Sequence, residues 1–472
     1  MLLRMLRREL RCRLASCDAF VAIDGYQPRN PETTVLYQVI AKQLETFLVR
    51  QQERERSIPK FVEREFRDYL TGGVAEHGFL RLHCDDCGQD RILAFSCKRR
   101  GWCPSCGGRR MSDTAAHLVD SVFPWVPVRQ WVLSLPFKLR YRMAYDSELM
   151  ADILNIFVRS VFGELRRRAR ESLGLKRSQC GAVTFVQRFN SGLGLNLHFH
   201  MAALDGVYAD GPGGHPEFHE LPPPEDAEVL QVAALIAERV TSMIERRGLE
   251  NEPDALSDND PGLASLYAAA VRGRIATGPN AGNRLAAFGG DRIDGDSLEV
   301  MSSPRCAAAG GFNLHANVSI GARDRERLQR LLRYAARPAL ALERLSRLPD
   351  GRLVYRLKRS WSDGTTDLVF EPQDFIAKLA ALVPAPRVHL TRFQGILAPA
   401  AKWRPLIIPA PIVEPDILSS TGPLPAPESG EGSEASIPEQ VAPNHPHSRR
   451  NYTWARLMMR VLQLDVLQCE CG

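Results

Sequence analysis

The chain has 472 residues, 44% of them hydrophobic, with a net charge of +6; this excludes a disordered or fibrous chain and leaves room for roughly two to four domains with cores of their own. No window holds the roughly 18 apolar residues of a membrane span, and the opening MLLRMLRRELRCRL is too rich in arginine for a secretory leader. The charge is unevenly spread: residues 406–448 carry six acids and no Lys or Arg, so the remainder carries +12.

A basic surplus of that size suits a polyanionic partner, and it is also compatible with an ordinary basic enzyme. The sequence predicts a cytoplasmic protein. In a reducing cytosol its eleven cysteines point to metal ligation by some and burial of others, with no need for a disulfide.

Taken in order, Glu32 to Tyr69 has apolar residues at helical spacing, and Gly72 and Gly73 end the pattern. Residues 1–75 therefore predict an N-terminal helical region. HCDDCGQDRILAFSCKRRGWCPSCGGRRM follows, with Cys84 and Cys87 in one C-x2-C knuckle and Cys103 and Cys106 in a second. This is the spacing of a zinc ribbon, here 76–115, with the four knuckle thiolates expected to close one structural zinc site. A glycine ends each knuckle (Gly88, Gly107), as a tight turn requires. Cys97 is a fifth thiol, held as a second-tier ligand inside the ribbon. Arg99, Arg100, Arg109 and Arg110 give the ribbon a cationic surface suited to nucleic acid.

From Val128 the pattern turns to short apolar runs. VRQWVLSLPF predicts a strand. Glu148 to Arg170 predicts a helix with an arginine-bearing exposed side (Arg159, Arg166, Arg167, Arg168, Arg170). GAVTFVQRF and LNLHFHMAALDGVY, joined by SGLGLN, predict a hairpin. His198 and His200 then share one strand face, with Phe199 on the other. A turn centred between Gly192 and Leu193 puts Gln187 opposite His198. Two imidazoles and an amide oxygen can hold Mg2+ or Mn2+ with positions left for phosphate oxygens; two histidines on a strand face serve equally well as hydrogen-bonded structural groups.

Residues 212–305 predict an insertion with one amphipathic helix, Asp226 to Arg247, and otherwise no clear period. GGFNLHANVSI predicts a strand presenting His315, a second-tier candidate. The next helix has Asp324 as its N-cap and Leu328, Leu331, Leu332 and Ala335 as its core stripe. Tyr334 lies off that stripe in a lane with Arg327, Arg330 and Arg337, which can hold a phosphate that it attacks. A tyrosine packed beside a solvated arginine face is the plainer account.

RLVYRLKRSW and TTDLVF predict a hairpin, and Lys358, Arg359, Trp361, Lys402, Trp403 and Arg404 mix cations with aromatics as single-strand binding surfaces do. Lys402 and Arg404 are DNA-binding candidates on that ground. Residues 410–448 predict a disordered linker. Residues 449–472 predict a helix ending in Cys469-Glu470-Cys471, a knuckle that cannot close a zinc site alone and therefore reads as vestigial or truncated.

The ribbon, Gln187 with LHFH, and RYAARPALALERL together resemble the insertion-sequence-91 family of transposases, within the rolling-circle HUH endonucleases. The resemblance implies an α+β fold: an HUH-endonuclease-like central antiparallel sheet flanked by helices at 125–409, preceded by the helical segment and the ribbon. It implies His198, His200 and Gln187 as ligands of a catalytic Mg2+ or Mn2+, Tyr334 as nucleophile, structural Zn2+ in the ribbon, and single-stranded DNA at transposon termini and target as substrate. A 5′-phosphotyrosine would conserve the bond energy, so no nucleotide cofactor is expected, nor a membrane. A bacterial cytoplasmic protein, nucleoid-associated when on DNA, is implied. Arg330 and Pro338 stand where founding members of the family have a second tyrosine, which resembles the single-tyrosine branch, and Gln394 stands where many relatives have histidine. A rolling-circle plasmid replication initiator and a non-catalytic zinc-ribbon regulator are the alternative functions.

Overall fold

The computed structural model describes residues 30–249, 252–289, 303–409 and 452–469. The arginine-rich start and the 410–448 segment lie outside them. The N-terminal helical stretch is two helices, α1 (Val35–Glu53) and α2 (Lys60–Thr71). Thr34 caps α1 by accepting from the Tyr37 amide at 3.2 Å, and Pro59, which cannot continue a helix, stands before α2. The ribbon follows as a hairpin of β1 (Phe79–His83) and β2 (Asp90–Ala94) and then α3 (Pro104–Ser121). Phe66 and Tyr69 of α2 pack on the buried Trp102, so helices and ribbon share a core across residue 75. α3 runs on through residue 115 into the rest of the molecule.

The larger body comprises β3 (Val128–Ser134), α4 (Phe137–Tyr145), α5 (Ser147–Leu173), β4 (Gly181–Phe189), β5 (Leu195–Leu204), β6 (Gly206–Asp210) and β7 (Pro216–Glu220). It continues with α6 (Asp226–Arg246), α7 (Pro261–Val271), β8 (Ala286–Phe288), β9 (Cys306–Ala309), β10 (Phe312–Ile320) and α8 (Arg325–Ala335). After these come β11 (Leu345–Arg347), β12 (Leu353–Arg356), β13 (Asp367–Phe370), α9 (Pro372–Leu382), β14 (Thr391–Gly395) and α10 (Trp454–Leu462). Six antiparallel strands form the central sheet in the order β14-β4-β5-β3-β10-β9. A second sheet takes the order β11-β12-β13-β8.

Each face of the central sheet is covered. α3 and α8 lie on one, where Ala115, Leu118, Leu328 and Leu332 pack with Val183 and Ala202. α5 lies on the other, its Phe157 stacked on Phe199 at 6.2 Å. This is the α+β arrangement of a helical segment, a cysteine-bearing ribbon and an antiparallel sheet.

Three expectations change. Arg168 is buried rather than on the exposed side of α5; it pairs with Glu228 at 3.3 Å, because α6 packs against that face. The 212–305 stretch contains α7, whose Leu263, Leu266 and Tyr267 join the main core; a helix apolar on most sides shows little helical period, so the pattern was invisible. Gly107 is helical and makes no tight turn. A Cβ there would lie 2.7 Å from Cβ of Pro338, so its small size lets α3 approach the chain just beyond α8. Gly88, by contrast, has a left-handed φ of 72° and its amide closes the first knuckle on the Cys84 carbonyl at 2.9 Å.

Candidate active site

The β4–β5 pairing sets the site. Gln187 lies opposite His198, and Phe185 opposite His200, the register predicted by a turn between Gly192 and Leu193. The two imidazoles share a face with ring centroids 4.9 Å apart. The Nδ1 of His198 donates to the Asn196 carbonyl at 2.9 Å, which leaves Nε2 with a lone pair. The Nδ1 of His200 faces Gln130 Nε2 at 3.1 Å. Tyr334, at the C-terminal end of α8, stands edge-on to His200 with centroids 5.8 Å apart. The residue is 43% exposed, so a substrate can reach it.

Gln187 has two tasks. Its Nε2 donates to the carbonyls of Tyr334 at 3.1 Å and Ala335 at 2.8 Å, satisfying two of the carbonyls a helix leaves open at its C-terminus. The amide therefore fixes the tyrosine-bearing end of α8 to the histidine strand. Gln187 Oε1 and His200 Nε2 are buried without a hydrogen-bond partner. Buried polar atoms are ordinarily satisfied, so the acceptor Gln187 Oε1, together with His198 Nε2 and with His200 Nε2 in the tautomer that carries its proton on Nδ1, makes a donor set that fits a cation. That Gln187 grips α8 was not legible in its spacing, because the contact spans 147 residues.

Burial pushes His198 down to about 4 and His200 well below its ordinary value, which keeps both rings neutral and able to ligate at pH 7. Arg337 opposes their protonation further. In the unfolded chain these imidazoles titrate near 6.5, so between roughly pH 6.5 and 4 the unfolded state binds more protons. Their contribution is complete above 6.5 and is lost as pH falls through that window. The metal-free protein is expected to lose melting temperature across it, and His200→Gln to flatten the slope; equal slopes in a thermal-shift series would contradict the assignment.

His315 lies in the same cross-strand row as His200 with Val132 between them, which spaces the two backbones by about 10 Å. It adjoins the site, where a positive charge on it would oppose protonation of His200. Arg337 stacks on Tyr334 with Cζ 4.6 Å from the ring centroid, and Lys358 approaches the same ring at 5.9 Å. Lys358, part only of a cation and aromatic mixture in the sequence, is thus a site residue brought in by the second sheet. Arg327 and Arg330 are exposed on α8, and Arg330 pairs with Glu326 at 2.8 Å.

Of the ribbon arginines, Arg100, Arg109 and Arg110 are exposed and Arg99 is half-buried, and three of the four are held by the protein's own acceptors. Arg99 pairs with Asp68, Arg100 donates to the Val388 carbonyl at 2.5 Å, and Arg110 donates to the Arg99 and Lys98 carbonyls at 3.3 and 3.4 Å. Arg404 bonds the Leu397 carbonyl and stacks on Phe393 at 5.6 Å; Lys402 is exposed.

The thiols group differently from the expectation. Cys97, Cys103 and Cys106 form one cluster and Cys84, Cys87 and Cys469 another, with ligand atoms within 4.8 Å of one another in each. The four knuckle cysteines do not converge on a single point. The reason is local: Cys103 and Cys106 open α3, whereas Cys84 and Cys87 sit at the far tip of the β1–β2 hairpin. Cys97, on the return from that hairpin, is the thiol that reaches Cys106, at 3.3 Å. Hydrogen bonds from Cys103 and Cys97 hold the Cys106 thiol low, while Cys103 is pushed up to about 11, the response of thiols crowded together. Cys471 lies outside the described residues.

Residues 181–404 match a family model described as "Putative transposase", and residues 40–135 match one described as "Transposase zinc-binding domain", the domain of insertion-sequence-91 transposases. No curated protein and no solved structure matches the chain. The zinc-binding match and the thiol clusters support structural zinc, and no helix among the described residues is long and apolar enough to cross a membrane.

Proposed function

We propose that this chain, an insertion-sequence-91-type transposase with an N-terminal zinc-binding domain, nicks and rejoins single-stranded DNA at element ends through Tyr334. One observation carries the reading: Tyr334 stands against His200, beside two buried polar atoms, Gln187 Oε1 and His200 Nε2, that have no partner. His198, His200 and Gln187 would hold a divalent ion such as Mg2+ or Mn2+, which when bound polarises the scissile phosphate.

The protein's own residues supply the rest. Tyr334 Oη forms a bond to phosphorus as the bond from phosphorus to the 3′ oxygen breaks. The tyrosine loses its hydroxyl proton, and the departing oxygen takes one up to become a free 3′-hydroxyl. A 5′-phosphotyrosine remains, and attack by a 3′-hydroxyl reverses the exchange without a nucleotide cofactor. Arg337 and Lys358, the cations nearest the tyrosine ring, are placed to hold phosphate oxygens. Trp361, anchored to the β4–β5 turn by its indole N–H donating to Ser191 Oγ at 3.1 Å, offers an exposed ring to an unpaired base.

The test is a covalent adduct. With Mn2+ and labelled single-stranded terminus DNA, the wild type is expected to give a nuclease-trimmed, protease-sensitive species that Tyr334→Phe does not form. An adduct of undiminished yield in that variant would remove Tyr334 from the reaction.

A further inference from the structure

We infer that the C-terminal segment folds back to complete a second thiolate metal site, in which Cys469 joins Cys84 and Cys87 on one soft divalent cation such as zinc. This site is separate from the Cys97, Cys103 and Cys106 cluster and is closed by residues 382 positions apart. It stands independently of the nuclease reading.

The three sulfurs lie within 4.8 Å of one another, and Cys87 and Cys469 are 3.5 Å apart. Thiolates sharing a tetrahedral zinc, each about 2.3 Å from the ion, are about 3.8 Å from one another, whereas a disulfide brings two sulfurs to about 2.05 Å. The spacing fits a shared ion. Cys84 and Cys87 are also prepared for ligation, because the knuckle turn is closed at both ends by backbone bonds between Cys84 and Gly88 and between Cys84 and Gln89, each 2.9 Å.

The tail arrives there by specific contacts. Tyr452 donates its hydroxyl to Asp120 at 2.6 Å and its amide to Asp113 at 2.9 Å. Arg460 forks onto the same Asp120 carboxylate at 3.0 and 2.9 Å. Leu457 and Val466 are buried. These contacts lay α10 along α3, the helix opened by the other thiol cluster. Gln463, in the left-handed region with φ 54°, ends α10, and Asp465 accepts from the Leu467 and Gln468 amides at 2.9 and 3.2 Å, turning the chain so that Cys469 meets the hairpin tip. Cys469, half of a pair that reads as vestigial or truncated in sequence, thus gains partners through the fold. An ion here would tie the far end of the chain to the ribbon and hence, through α3, to the helix that carries Tyr334.

The experiment uses the full-length protein purified with zinc. Elemental analysis is expected to give two zinc ions per chain, with one lost in Cys84→Ser/Cys87→Ser and the same one lost in Cys469→Ser/Cys471→Ser, while Cys97→Ser loses the other. A wild-type measurement covers the case of variants that do not fold: in the zinc-loaded chain the peptide containing Cys469 is expected to resist iodoacetamide and to become reactive on chelation together with the peptide containing Cys84 and Cys87. Full zinc content in the Cys469→Ser/Cys471→Ser protein, alkylation of Cys469 at the rate of an unhindered thiol in the loaded wild type, or a Cys87–Cys469 disulfide in place of the ion would each overturn the proposal.

Discussion

Arg129→Ala is expected to destabilise the protein by about 3–5 kcal/mol, the cost of leaving a buried charge without its partner. Arg129 and Asp205 are both almost fully buried and meet in a two-pronged pair at 2.8 and 2.7 Å. The remaining guanidinium nitrogen donates to the Ala316 carbonyl at 3.0 Å, and Ser319 donates its hydroxyl to Asp205 at 2.9 Å. The network therefore ties β3, the end of β5 and the bulged β10, the strands that hold the two histidines and His315 in register. Removing the arginine leaves the buried Asp205 carboxylate without its counter-charge, held only by the Ser319 hydroxyl among the side-chain donors described. Urea unfolding would read the loss as a lower midpoint at similar slope. Replacing both partners by apolar residues is expected to cost far less, since desolvation of two charges offsets much of their attraction. A single variant within about 1 kcal/mol of wild type would show that water reaches the pair, and the network would not then define the sheet.

The contrast between what is legible in this sequence and what is not follows the range of the interactions. The hairpin carrying Gln187, His198 and His200 is local: alternation and a glycine-bearing turn determine its register, and the observed pairing follows. The Asp324 cap is equally local and accepts the Arg327 amide at 3.0 Å. The knuckles are local too, and each C-x2-C pair stays together. Which knuckle shares an ion with which other thiol is a matter of tertiary placement, and there the expectation of one four-thiol site does not hold, because a helix and a hairpin tip carry the two pairs in different directions. The ribbon arginines show the same limit. Charge in sequence does not reveal that Arg99 is taken up by Asp68 or Arg100 by a carbonyl 288 residues away. Lys358 and α7 were hidden for complementary reasons, one because another sheet delivers it, the other because burial on most sides removes helical periodicity.

His200→Ala is expected to abolish Mn2+-dependent adduct formation, because the ring contributes an unpartnered Nε2 and stands against Tyr334. The neighbouring Gln130 makes the sharper case. For Nε2 of His200 to offer a lone pair, Nδ1 must carry the proton and donate it. The only hydrogen-bond partner described for Nδ1 is the side-chain amide of buried Gln130, at 3.1 Å. With its amide turned so that Oε1 accepts from Nδ1, Gln130 holds the ligating tautomer and makes the ring more basic, the effect that oriented partners have on metal-bound histidines. Gln130→Leu is therefore expected to weaken metal binding by about 10–100-fold, read as a higher Mn2+ concentration for half-maximal adduct with an undiminished plateau. Gln130→Glu, whose carboxylate can only accept from Nδ1, is expected to restore much of that affinity. If Gln130→Leu lowers the plateau instead and leaves the Mn2+ dependence unchanged, the glutamine acts on packing alone, and the tautomer of His200 is set without it.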